Sequence, residues 1–198
     1  LNYISFFIEL NTSIMNLYLR LLWTILRAWR MPKMGIHDVL ERKLRVLPGD
    51  LDINMHMNNG RYLTVIDLLL IEFFVRTGYA KVLLSNGWKP MSGGSIISYR
   101  RGLQPFQSYT VRYRFTGCDE IWNYMHFEFI ANGKVCAAGY MKGAAVSKQG
   151  FVQNAQSYAL LGLPLSTEPL PQAVQHWQAS ERSLVESFSL TSKAMQVV

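Results

Sequence analysis

The sequence predicts an α+β domain in which one long, nearly all-apolar helix is wrapped by a curved antiparallel sheet. Three observations carry this. From Asn59 to Thr77 the polar positions are Arg61, Thr64, Asp67, Glu72 and Arg76, a stripe so narrow that such a helix is buried almost all round. After Gly87 the chain changes to strand-length runs of alternating side chains separated by turn signals. Between a first short alternating run and the helix lies a dense polar knot, Gly49 to Tyr62. Polar side chains packed that closely are costly unless they cap, orient or react.

With 198 residues and 49% hydrophobic side chains, the chain has material for one real core plus extensions. The expected division is an N-terminal helical extension and linker at 1–35, the main domain at 36–150, and a C-terminal helical extension at 151–198. The formal charge of +7 is scattered, with no block of five or six basic residues. Arg112 and Arg114 form the nearest thing to a patch with interleaved aromatics, and no nucleic-acid motif accompanies them, so nucleic acid is not an expected partner. Anionic phosphates or an anionic membrane surface fit the charge better. Cys118 and Cys136 lack metal-ligand spacing, as do His37, His56, His126 and His176; no metal is expected, and the two thiols read as reduced in a cytoplasmic protein.

In chain order, Asn11-Thr12-Ser13 can cap a helix beginning near Ile14. In it Leu17, Leu21, Leu22, Ile25 and Leu26 recur at helical spacing, with Arg20, Arg27 and Arg30 roughly opposite. This is a basic amphipathic helix, and two readings stay open: attachment to a membrane surface, or packing on its own domain or a dimer partner. Arg20 and Arg27 interrupt it too early for a transmembrane span. Neither a preceding cationic residue nor a small-residue cleavage site marks a signal peptide. The first residue is Leu, and Met15 is a candidate true start. Pro32 and Gly35 punctuate a linker, and Val39 to Leu47 reads as the first strand, ended by Pro48-Gly49.

Gly78 supplies the stop of the long helix. Met91 to Tyr99 is the next strand, with Gly93-Gly94 marking a bulge. Gln107 to Thr116 follows, placing Tyr109, Val111, Tyr113 and Phe115 on one face. Ile121 to Ile130 puts Met125, Phe127 and Phe129 inward, and Asn132-Gly133 predicts a tight hairpin into a fifth strand, Lys134 to Ser147. The C-terminal extension predicts a short helix over Asn154 to Leu161 and a second over Pro171 to Phe188, with Val174, Trp177, Leu184, Val185 and Phe188 inward. The last ten residues are expected to fray.

The chemistry is expected in the knot. The start of a buried helix offers free N–H groups and a dipole that favour negative charge, and a carboxylate just upstream can serve as general base or nucleophile. Asp52 is the better of the two aspartates, because the helix starts about six residues later and Asn58 is placed to cap it. The competing reading makes Asp52 an Asx-turn residue that holds the loop. His56 reads either as a polar contact to substrate or Asp52, or as a pin on loop backbone. Asp50 can pair with an arginine.

The run Asp50-Leu51-Asp52-x-x-x-His56-x-Asn58-Asn59-x-x-Tyr62 resembles the signature of the 4-hydroxybenzoyl-CoA-thioesterase-like hot-dog family, over residues 36 to about 150. The resemblance implies the hot-dog fold, an acyl-CoA thioesterase without cofactor, Asp52 as catalytic carboxylate, and the backbone amide of Asn59 as oxyanion donor, with Asn58 as its neighbour. It also implies at least a homodimer with edge-paired sheets. An acyl-CoA substrate would lie along the helix beside Tyr62 and Ile66. Arg100, Arg101 and Lys142 are candidates for its phosphates, with solvated surface charge as the alternative. A rival reading is a non-catalytic acyl- or lipid-binding protein held at a membrane by its N-terminal helix.

Overall fold

The long helix forms where its sequence dictates. In a computed structural model of the chain, which describes residues 18–166 and 168–195, it runs Asn59–Thr77 (α2), capped by the Asn58 side chain on the Gly60 N–H at 2.8 Å and ended by Gly78 at φ +84°. Gly can take this left-handed conformation at no steric cost. Tyr62, Val65, Ile66, Leu68, Leu69 and Phe73 are buried.

The sheet that wraps it comprises β1 (Leu40–Arg45), β2 (Lys89–Tyr99), β3 (Ser108–Cys118), β4 (Asn123–Ala131), β5 (Lys134–Ser147) and the short β6 (Gly150–Phe151). Its order is β1-β3-β4-β5-β2, with β6 on β5, and every pairing is antiparallel. This is the expected hot-dog arrangement. The inward residues Tyr109, Val111, Tyr113, Phe127 and Phe129 form one core with Tyr62, Ile66 and Leu69. The register shifts between Ser92 and Gly94, where the glycine pair predicted a bulge. Asn132 and Gly133 both take positive φ, as a two-residue hairpin turn of matching twist requires. Cys118 and Cys136 are buried and unpaired.

Helices α3 (Tyr79–Ser85), α4 (Asn154–Leu161) and α5 (Gln172–Met195) complete the order. No sequence signal singled out α3, a seven-residue helix whose Tyr79 and Leu83 join a second small core with Ala145 and Val152. Helix α5 outlasts its predicted end at Phe188, while residues 196–198 lie outside the described chain. Val174 is buried and Trp177 half-buried, as expected, but Leu184, Val185 and Phe188 are 55%, 59% and 62% exposed. Their inward assignment fails because, in a single chain, nothing lies beneath that half of the helix to bury them.

Residues 18–30 are helical (α1); the expected cap at Asn11–Ser13, the candidate start at Met15 and Leu17 fall outside the described residues. The helix follows its amphipathic reading only in part: Leu21, Ile25 and Leu26 are half-buried and Arg30 is exposed, as expected, but Arg20 and Arg27 turn to the domain. Arg20 reaches the buried Asp50 at 2.8 Å, Arg27 reaches the buried Glu72 at 3.4 Å, and Thr24 accepts from Arg42 at 3.2 Å. Tyr18, Leu19, Leu22, Trp23 and Trp29 face out. Two buried carboxylates without counter-charges would cost more than several exposed apolar side chains, so the arginines turn inward. Glu72 is the hub. It also receives Arg42 at 3.0 Å and Arg76 at 3.5 Å, and lies almost wholly out of water. Burial pulls the Arg42 guanidinium below its usual range, and the adjacent Glu72 pushes it back up. Among the described residues no helix is long and apolar enough to cross a membrane.

Replacing Glu72 by Ala leaves Arg42 buried without its partner and releases α1. It is expected to cost about 3 kcal/mol of unfolding free energy, measured by urea denaturation. A loss below about 0.5 kcal/mol, the size of an ordinary surface substitution, would show that this cluster does not hold α1.

Candidate active site

The knot folds as a miniature hairpin ahead of α2. A 3₁₀ turn, Pro48–Asp50, brings the chain round. Leu51 then bridges Met57, with Asn58 N–H donating to the Asp50 carbonyl at 2.8 Å and Asp52 N–H to the His56 carbonyl at 2.8 Å. The tip, Ile53 to Met55, is exposed, and Met55 sits at φ +59°, a left-handed conformation costly for a residue with a Cβ. A second tether runs outside the hairpin: Met57 N–H donates to the Leu103 carbonyl at 2.9 Å, and Arg61 Nη2 reaches back from α2 to the Gly49 carbonyl at 3.0 Å.

Within this frame the two aspartates separate cleanly. Asp50 is buried and structural. Its Oδ1 receives Arg20 Nη1, and its Oδ2 receives the Leu47 N–H at 3.0 Å and Arg20 Nη2 at 3.3 Å. Asp52 is half-buried, at the base of the tip. Its Oδ1 accepts the N–H groups of Asn54 at 2.8 Å and His56 at 3.2 Å, the geometry of an Asx turn, while its Oδ2 has no hydrogen-bond partner among the described residues. One oxygen shapes the loop and the other is available to chemistry, so both sequence readings of Asp52 have a physical basis.

At the helix start the amides are unequally occupied. Gly60 N–H is taken by the Asn58 cap and Arg61 N–H by the Asn58 carbonyl. Asn59 N–H, on an exposed residue, has no partner among the described residues. The Asn59 carbonyl accepts from the Tyr99 hydroxyl at 3.1 Å, which ties the end of β2 to this turn. His56 is half-buried with its ring against Gly102; a Cβ there would stand 2.5 Å from the imidazole Cδ2. Its backbone contacts and this packing make His56 a support of the loop.

Other expected site residues are distributed differently. Tyr62 and Ile66 are each 1% exposed and packed into the core, Tyr62 edge-on to Phe129 and Tyr99. An acyl group therefore has no free space beside them. Burial raises the Tyr62 phenol, and the Leu103 amide partly offsets this. Open space occurs further along α2: a cavity of about 270 Å³ between Asp67, Leu70, Ile71 and Phe74 on the helix and Met91, Phe115, Met125 and Met141 on the sheet. Asp67 stands at its mouth, and burial against these apolar neighbours raises its carboxyl above the ordinary range.

Arg100 and Arg101 follow Tyr99 directly, their N–H groups both donating to the Cys136 carbonyl. With Lys134 and Ser98 they line a shallow basic depression, one residue from the tyrosine that touches Asn59. Lys142 does not join them. It is buried, ion-paired with Glu181 and lies over the rings of Trp122 and Trp177 at 4.5 and 5.5 Å. Sequence reasoning expected an arginine on Asp50 without identifying Arg20, and missed Tyr99 and Leu103, which hold the knot from distant segments, and the tether made by Arg61 within it; their only signal was the excess of polar groups in the knot itself.

The sequence pattern of the family described as "Thioesterase-like superfamily" matches residues 46–178. The chain is 28% identical over 135 residues to the Xenopus laevis protein THEM6, the match covering 67% of this chain and 63% of that protein, just under two thirds of its length. The Danio rerio THEM6 is 27% identical over 187 residues, covering 89% of each. Among solved structures, the Staphylococcus aureus protein SAV2348, determined in complex with CoA, superimposes with a TM-score of 0.56 at 13% identity, over 69% of this chain and 93% of its own. At that identity the likeness speaks for the fold. Because the family pattern spans most of the chain, including the knot, α2 and every strand of the sheet except β1, the chain belongs to the thioesterase-like hot-dog superfamily.

Proposed function

We propose that this chain is an acyl-CoA thioesterase whose catalytic groups are Asp52 and the backbone amide of Asn59. The observation that carries the reading is the Asn59 N–H at the exposed start of a buried helix, downstream of the Asp52 carboxylate, where that N–H and the Asp52 Oδ2 both lack a partner among the described residues. A helix N-terminus with a spare amide stabilises a developing oxyanion. Asp52 takes a proton from water as the water oxygen bonds to the thioester carbon. The oxyanion rests on the Asn59 amide. Collapse breaks the C–S bond, and the thiolate leaves with the proton that Asp52 held, giving a carboxylic acid and a free thiol. Attack by Asp52 itself, through an anhydride that water then opens, uses the same groups.

The supporting geometry extends from this point in two directions. Arg100, Arg101 and Lys134 offer cationic donors to the phosphates of CoA. The SAV2348 structure was solved with that cofactor. The apolar cavity begins eight residues further along α2, about 12 Å at the helical rise, a reach that suits the tail of an acyl chain. The chain acts as a homodimer joined at β2, whose outer edge has no strand partner among the described residues.

A second reading is favoured by the outward apolar face of α1: a lipid-surface protein, cytoplasmic and peripheral on the membrane, with or without hydrolysis. Trp and Tyr with flanking Arg30 and Lys33 suit the headgroup boundary.

Asp52→Asn keeps an oxygen for both loop N–H groups and removes only the charge. Thiol release from a panel of acyl-CoAs is expected to fall about 100-fold or more, with Tm unchanged. If Asp52→Asn retains the native rate while Asp52→Ala loses both rate and stability, Asp52 is a loop pin. For the surface reading, replacing Trp23 and Trp29, which are 63% and 70% exposed, together by Ser is expected to weaken co-sedimentation with anionic vesicles about tenfold. Equal binding by the variant would remove the membrane from the account.

A further inference from the structure

We propose that α5 is a clasp between two copies of this chain, its second half lying across the β2 edge onto the outer face of the partner's sheet. The inference rests on the homodimer joined at β2, and adds to it a second, separable contact.

The direction of α5 is fixed by what it touches. One row of the sheet register runs Gly117 on β3, Tyr124 on β4, Lys142 on β5 and Gly94 on β2. The chain entering α5 and its first turns follow that row in order. The Leu170 side chain lies over Gly117. Trp177 packs edge-on to Tyr124, and Gln178 donates to the Tyr124 hydroxyl at 2.8 Å and to Asp119 at 3.2 Å. Glu181 pairs with Lys142, and the Trp177 ring and Glu181 carboxylate both lie over Gly94, where a Cβ would come within 3.2 and 3.6 Å of them. The helix thus crosses the strands from β3 to β2. At Glu181 it has reached the last strand of the sheet.

It does not stop there. Of its 24 residues, 14 follow Glu181, about 21 Å of helix beyond the edge at the usual rise. Leu184, Val185 and Phe188 continue the stripe of Val174, Trp177 and Glu181 at spacings of three, four and seven, so they face the same side as the residues that already rest on the sheet. Phe188 lies about 10 Å past Glu181, two strand spacings on. A surface able to receive these side chains is therefore an extension of this sheet in its own plane. A second copy paired along β2 supplies that extension, as β2 and then β5 of the partner.

The receiving face is also present in this chain. Next to the Gly94–Lys142 row, on the same face, stand Ile96 and Tyr140, paired across β2 and β5, with His126 against the Tyr140 ring at 4.8 Å. Ile96, Tyr140 and His126 are each half-buried, so part of each remains open to a partner. Two-fold symmetry makes the contact reciprocal: each helix covers the other copy's Ile96 and Tyr140. A strand-edge contact alone is a narrow strip, and two crossing helices widen it toward the area that a stable dimer needs.

The test compares the full chain with Leu184→Glu/Phe188→Glu and, separately, with Ile96→Glu, by sedimentation velocity over a wide concentration range, with circular dichroism as the check on folding. The native chain is expected to be dimeric. Both variants, altered at positions that a single chain leaves uncovered or half-covered, are expected to keep the native spectrum and raise the dimer dissociation constant about tenfold or more. Should the Ile96 variant fail to fold, the α5 variant alone decides. A native dimer whose affinity the α5 variant leaves unchanged overturns the clasp and leaves the β2 dimer standing. A native chain that stays monomeric at every concentration overturns both. Loss of vesicle binding in the α5 variant with unchanged dimerisation would assign the stripe to lipid and also overturn the clasp.

Discussion

Asp50 and Glu72 sit where water does not reach them, one in the loop that precedes α2 and the other three quarters of the way along it. An isolated buried carboxylate costs several kcal/mol, and partners in good geometry turn that cost into a constraint on what surrounds it. Asp50 draws in Arg20 and the Leu47 amide, and its carbonyl fixes Asn58 as the helix cap. Glu72 gathers Arg27, Arg42 and Arg76 from α1, β1 and α2. The position of α1, the entry angle of α2 and the shape of the knot follow from these two charges. The free amide of Asn59 lies where it does because Asn58 is held on Asp50.

The same economy of groups appears at Asp52. A carboxylate that closes an Asx turn with one oxygen is already oriented, so little freedom remains to be lost when a substrate arrives. Met55 pays a local conformational cost at the tip of this loop, and strain of that kind persists only where surrounding contacts over-determine the backbone. Here the contacts are the Leu51–Met57 bridge, the Leu103 carbonyl and the Arg61 tether. The loop is rigid by hydrogen bonding, without burial of its tip.

The sequence was informative where local rules act alone. The bounds of α2 and β5, the Asn132-Gly133 hairpin, the Gly93-Gly94 bulge and the inward faces of β3 and β4 follow from periodicity, caps and turn chemistry, all of which operate within a few residues. It misled where the deciding partner was distant. In α1 the arginines were expected opposite the apolar stripe, but Asp50 and Glu72, some 30 to 45 residues away, claim Arg20 and Arg27. Lys142 read as a candidate for the substrate's phosphates, or as solvated surface charge, because nothing in its own strand reveals Trp177 and Glu181. Tyr62 and Ile66 were placed along a substrate channel because a helix pattern shows which side chains are apolar and not which of them have space beside them. The two aspartates of the knot could not be told apart by burial from sequence, whereas Asn58 could be identified as a cap from its position alone.

The inward arginines of α1 have a consequence for how this protein is bounded. The family pattern begins at residue 46, and by that measure everything earlier is appendage. The ion pair from Arg20 to Asp50 crosses that boundary and ends inside the loop that carries Asp52. The folding unit therefore reaches further toward the N-terminus than the family pattern does. A helix whose outer face is free to meet a surface is, on its inner face, part of the foundation of the loop that carries Asp52. A cut between residues 20 and 30 would separate Arg20 from the body and leave the buried Asp50 without its counter-charge in the same event. Any attachment made through α1 would then be as lasting as the fold itself.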